Sequence, residues 1–71
     1  MAAFSPLRIE LDREEDGRWL ALVLELPGVM AYGASEEEAT RKAQSVALQI
    51  LADMIDNREE LPPGLPALFA R

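Results

Sequence analysis

The chain has 71 residues, a net charge of −6 and neither cysteine nor histidine. That length fits one domain, and the two absences exclude disulfides, thiol and imidazole chemistry, and a zinc site of the usual ligands. With 13 acidic residues against seven basic ones, the charge argues against a nucleic-acid surface, which needs clustered Lys and Arg, and suits a basic partner. The opening MAAFSPLRIEL lacks the basic start and long apolar run of a signal peptide. No stretch approaches the roughly 20 apolar residues of a membrane span. A cytoplasmic protein without a membrane segment is the expectation, and no cofactor is implied.

Residues 1–6 read as a frayed lead. Residues 7–13 alternate: Leu7, Ile9 and Leu11 point one way, Arg8, Glu10 and Asp12 the other. That pattern predicts a strand with one wet face. Glu14-Glu15-Asp16-Gly17 is a turn, since Asp and Gly tolerate positive φ. A second strand is predicted over residues 18–26. Within it, Trp19, Ala21 and Val23 alternate with Leu20, Leu22 and Leu24, so both faces are apolar and both need a cover. Pro27-Gly28 stops it, because Pro cannot donate to a ladder. A short third strand follows over residues 29–34, with Gly33 placed at a bulge.

Ser35 with Glu38 has the form of a capping box, which starts a helix predicted over residues 36–57. Glu37 and Glu38 stand four residues before Arg41 and Lys42, the spacing of helical ion pairs. Ala39, Ala43, Val46, Ala47, Ile50 and Met54 form one stripe, with small residues early to let the helix lie close to the sheet. Leu48, Leu51 and Ile55 widen the stripe where the helix should overhang short strands. Residues 61–71 carry three prolines and are expected to be irregular, folding back on Leu51 and Ile55 with Leu65, Leu68 or Phe69 as plugs. The whole is an α+β, two-layer fold. A three-stranded antiparallel meander, with room for a fourth strand, carries one long helix on one face.

Little in this chain resembles a catalytic set. Glu10 and Asp12 are the best carboxylate pair, two apart on one strand face, and they read more simply as solvated residues. Trp19 and Tyr32 are expected to share the sheet face opposite the helix, as a packing or dimer contact or as a partner hot spot. One helix cannot cover a sheet that is apolar on both sides. A homodimer is therefore expected, its interface drawn from Glu10, Asp12, Trp19, Val23, Tyr32, Leu48, Leu51 and Ile55.

The ordered set Asp16-Gly17, Trp19, Ala21, Val23, Glu25-Leu26-Pro27-Gly28, Gly33, Ser35 through Ala39 and Ala43 resembles the HicB-like antitoxin family. It covers residues 7–63. The resemblance implies a partial RNase H-like fold, often with a further strand after the helix, and binding to a small basic RNA-cleaving toxin, HicA. Complete antitoxins of this type add a C-terminal DNA-binding domain. None is visible in this sequence, so direct DNA binding is not expected. The expectation is a non-enzymatic protein-binding module. Two other readings stand beside it: a degenerate RNase H-like nuclease using Glu10, Asp12 and a divalent metal, and an orphan structural dimer without a toxin.

Overall fold

The computed structural model describes residues 7–62. They form three strands, β1 (Ile9–Arg13), β2 (Trp19–Val23) and β3 (Met30–Gly33), followed by one helix, α1 (Glu36–Asp56). The sheet order is β1-β2-β3, antiparallel throughout. The expected α+β meander with a single helix packed on one face is the architecture found. The expected plugs Leu65, Leu68 and Phe69 lie outside the described residues.

The β1–β2 hairpin turns tightly on Glu14 to Arg18. Glu14 N–H donates to Arg18 O at 2.8 Å and Gly17 N–H to Glu14 O at 3.0 Å. β2 stops at Val23, three residues short of the expected end at residue 26. Leu24 N–H still donates to Arg8 O at 3.0 Å, but Leu26 N–H then folds back to Val23 O at 3.1 Å. The chain thus turns before Leu-Pro-Gly, and Leu26 swings into the core instead of continuing the strand. A second turn follows, closed by Val29 N–H to Leu26 O at 3.0 Å. Pro27 sits where a type II turn wants a fixed φ, and Gly28 takes the positive φ of 86° that the next position requires.

Register decides the two faces. Ile9 pairs with Val23, Leu11 with Ala21, Arg13 with Trp19, Ala21 with Ala31 and Trp19 with Gly33. These side chains face α1. The core is Ala21, Val23, Leu26 and Val29 against Ala39, Ala43 and Ala47, with Val46, Leu51 and Met54 packed around it. Small residues meet small residues, so helix and sheet approach closely. Gly33 is the tightest point. It is not a bulge, since it pairs in register with Trp19. A Cβ built there would stand 2.9 Å from Ala39 Cα and closer still to Ala39 N.

The helix starts as its capping signal predicts. Ser35 is the N-cap, and its hydroxyl accepts from Glu38 N–H at 3.1 Å. The Glu38 carboxylate reaches back to Ala34 N–H at 2.7 Å, one residue earlier than the standard reciprocal bond. Both expected ion pairs form, Arg41–Glu37 at 3.8 Å and Lys42–Glu38 at 3.7 Å. At the other end Asn57 is the C-cap and Arg58 takes a left-handed φ of 57°. Arg58 N–H bonds Ile55 O and Glu59 N–H bonds Met54 O, the paired bonds of a Schellman ending. The chain then returns under the helix. Leu61 and Pro62 line a groove with Leu26, Val29, Ile50 and Met54; the expected packing of the later tail on Leu51 and Ile55 falls on residues outside those described.

Candidate functional site

The face of the sheet turned away from α1 is the candidate site. Its rows follow from the register. One row reads Asp12, Leu20, Tyr32 and the next Glu10, Leu22, Met30. Leu24 extends the middle column beside Arg8, through the bond from Leu24 N–H to Arg8 O. The result is a column of leucines on β2, two carboxylates on β1 and a Met–Tyr pair on β3. Leu24, Met30 and Tyr32 are 45%, 44% and 40% exposed, and Leu20 and Leu22 are half-buried. No described residue forms a layer over them.

Two expected members of this surface lie elsewhere. Trp19 pairs with Gly33 while Tyr32 pairs with Leu20, so the two aromatic rings are on opposite faces. Trp19 packs beside the core on the helix side, with the Arg13 guanidinium 5.5 Å from its ring centre. Val23 is buried between sheet and helix, on the helix side of the sheet, where it lines the floor of a groove with Leu7, Ile9 and Ala47. Leu51 is half-buried against the core, whereas Leu48 and Ile55 are exposed on the helix. Glu10 and Asp12 do share the open face with Tyr32. Sequence reasoning left the β2 leucines undecided between the faces and omitted Met30. A usable signal was present: Ala21, Ala31 and Gly33 are the small sheet residues, and an alanine-striped helix can approach only the side that carries them.

The rims of the face are fixed by charge-assisted bonds. Glu25 accepts from Arg8 N–H at 2.8 Å and from its Nε at 2.7 Å, tying the β2–β3 turn to the start of β1. The Arg8 backbone N–H, and then its guanidinium, hold the Glu25 carboxyl below its ordinary pKa. Asp16 accepts from Arg18 N–H at 3.0 Å and from its Nε at 2.7 Å, and the backbone bond leads the lowering of its pKa. Arg18 in turn lies over Tyr32, 4.3 Å from the ring centre. One side of that ring is therefore already occupied by a cation.

As chemistry, the surface offers apolar contact bordered by carboxylates. Among the described residues no group of three or more Asp or Glu side chains converges as a metal site would require, so Glu10 and Asp12 stand as a pair. No helix of the described residues is long and apolar enough to cross a membrane. No family model, curated protein or solved structure matches this chain. The likeness to HicB-like antitoxins therefore rests on the ordered residues alone.

Proposed function

We propose that this protein is a non-enzymatic binding module of HicB antitoxin type, which docks a small basic protein on the open face of its sheet. The observation that supports the reading is the pairing of exposed Leu24, Met30 and Tyr32 with Glu10 and Asp12 on one surface. A partner of this kind inserts apolar side chains over the leucine column and sets Lys or Arg against β1. Apolar anchoring supplies most of the affinity, and the carboxylates and the charge of −6 steer the approach. The resemblance makes that partner a HicA-like toxin. A homodimer belongs to the same reading, because a chain this short without disulfides gains stability from association. Residence in the cytoplasm accompanies both.

Where a small basic protein is encoded beside this gene, the test is titration against it at low and moderate salt. Binding that weakens as salt rises, and that Tyr32→Ala weakens by about 2 kcal/mol, is expected. Affinity indifferent to salt and to Tyr32 would remove the docking surface. The nuclease reading makes a different forecast: RNA cleavage with Mg²⁺ or Mn²⁺ that Glu10→Ala and Asp12→Ala abolish. A binding module shows no such turnover.

A further inference from the structure

The helix does not lie centrally on the sheet. It packs mainly on β3 and β2 and barely touches β1, because the small residues that permit close approach are Ala21, Ala31 and Gly33. An apolar groove of about 310 Å³ is left between β1 and the helix, lined by Leu7, Ile9, Val23, Gln44, Ala47 and Leu48. Leu48 at its rim is 67% exposed. β1 is also an edge strand, with no described strand on its outer side.

Hydrogen-bond parity shows which β1 residues have no ladder partner among the described residues. Leu24 N–H bonds Arg8 O, and Glu14 N–H bonds Arg18 O. In an antiparallel ladder bonded pairs alternate with non-bonded ones, so Arg8, Glu10, Asp12 and Glu14 bond towards β2. Ile9, Leu11 and Arg13 then present their N–H and C=O groups outward. Natural edges are blunted by proline, charged side chains, short length or a bulge. β1 reads IELDR and pairs with β2 without interruption: it has no proline and no bulge, and the charges Arg8, Glu10 and Asp12, on the face away from α1, are what a second strand must match.

Resting on the homodimer of the reading above, we propose that its seam is this edge. β1 pairs antiparallel with β1 of a second copy, centred on Ile9. The choice of centre follows from charge. Centring on Arg8 or on Glu10 sets that residue against itself. Centring on Leu11 sets Glu10 against Asp12 of the second copy. Centring on Ile9 sets Arg8 against Glu10 of the second copy twice, and directly opposed like charges occur nowhere in it. Opposite charges in facing cross-strand positions stabilise, and like charges destabilise. On the other face the same register sets Ile9 against Ile9 and Leu7 against Leu11. Directly opposite residues share a sheet face, so both helices lie on one side of a six-stranded sheet. The two grooves become continuous, and each Leu48 gains an apolar neighbour across the twofold axis. The seam is isologous, as a closed dimer requires; it takes up Glu10 and leaves the leucine column, Tyr32 and Asp12 for a different partner.

Sedimentation at micromolar concentration should give twice the 7.9 kDa formula mass. A formula-mass monomer would overturn the homodimer and the seam together. The register is read by single cysteine variants, since the chain has no cysteine of its own. Ile9→Cys places two thiols in a bonded pair with Cα atoms about 5.5 Å apart, within disulfide reach, and should cross-link on mild oxidation. Leu11→Cys should not. A doubled mass with no cross-link in the Ile9→Cys variant, or with equal cross-linking in the Leu11→Cys variant, overturns the seam and leaves the homodimer standing. Two substitutions at exposed positions test the same contact without disturbing the core. Glu10→Arg should weaken the dimer about tenfold, because each seam contains the pair twice, and Leu48→Glu should weaken it too. Dimers indifferent to both, or a groove filled by residues 63–71 of the same chain, count against the proposal.

Discussion

At the scale of the residue, Gly33 carries the sharpest demand. Its place opposite Trp19 brings the sheet against the first turn of α1, where a Cβ would stand 2.9 Å from Ala39 Cα and nearer still to Ala39 N. Those neighbours are backbone and cannot rotate aside, so any side chain must lift the helix start off the sheet. Gly33→Ala should therefore destabilise by about 3 kcal/mol, the range of a strained core substitution, as read by urea unfolding. A loss below about 0.5 kcal/mol, the size of an ordinary surface change, would mean that the helix is not seated so closely. The residue was legible as special in the sequence, but for a different reason. A lone glycine in a strand pattern suggests a bulge, and only the position of α1 turns it into a point of close approach. Trp19 was misplaced for a related cause. Periodicity says that residues 19, 21 and 23 share a face but not which face meets the helix. That choice depends on matching small residues across the interface.

At the scale of the element, α1 was read almost whole: residues 36–57 expected, Glu36–Asp56 found. Its start carries a local chemical signature, a hydroxyl and a carboxylate three residues apart, which needs no tertiary context. The end of β2 carries none. Leu24 and Glu25 continue the alternation in sequence, yet the Arg8–Glu25 bonds and the inward turn of Leu26 end the strand at Val23. A partner 17 residues away is invisible to local pattern. The two ends of α1 differ in quality. Ser35→Ala removes the hydroxyl that accepts from Glu38 N–H and should cost about 1 kcal/mol in urea unfolding. Arg58 instead holds the left-handed position of the Schellman ending, which glycine occupies without steric penalty. Arg58→Gly should leave the helix ending intact and raise stability by up to about 1 kcal/mol, net of the added freedom of the unfolded chain. A clear fall in thermal midpoint would show that the Arg58 side chain contributes more than its backbone strain removes.

At the scale of the whole molecule, carboxylates form several of the joints between elements. Glu25 links β1 to the β2–β3 turn, Glu38 links α1 to the end of β3, and Asp16 closes the β1–β2 hairpin. Each is held below its ordinary pKa, chiefly by a backbone N–H: that of Arg8, of Ala34 and of Arg18 respectively. The sign of the pH dependence follows. A carboxyl whose pKa is lower in the folded chain binds fewer protons there than in the unfolded chain, so stability rises with pH across the interval between the two values. The contribution is fully present above the ordinary carboxylate range near about pH 4 and is lost as the pH falls through the lowered values. An opposing effect acts over the same range. Protonation relieves the self-repulsion of a chain with a net charge of −6, but that relief is spread over the surface, while the lost bonds are concentrated where elements join. The thermal midpoint should thus change little between about pH 7 and pH 6 and fall steadily below about pH 4. Glu25→Gln combined with Glu38→Gln isolates the joints from the general charge, since an amide oxygen still accepts but does not titrate. That double variant should start less stable at neutral pH and lose less on acidification. A midpoint that falls as steeply in the double variant as in the parent would place the acid sensitivity elsewhere in the chain.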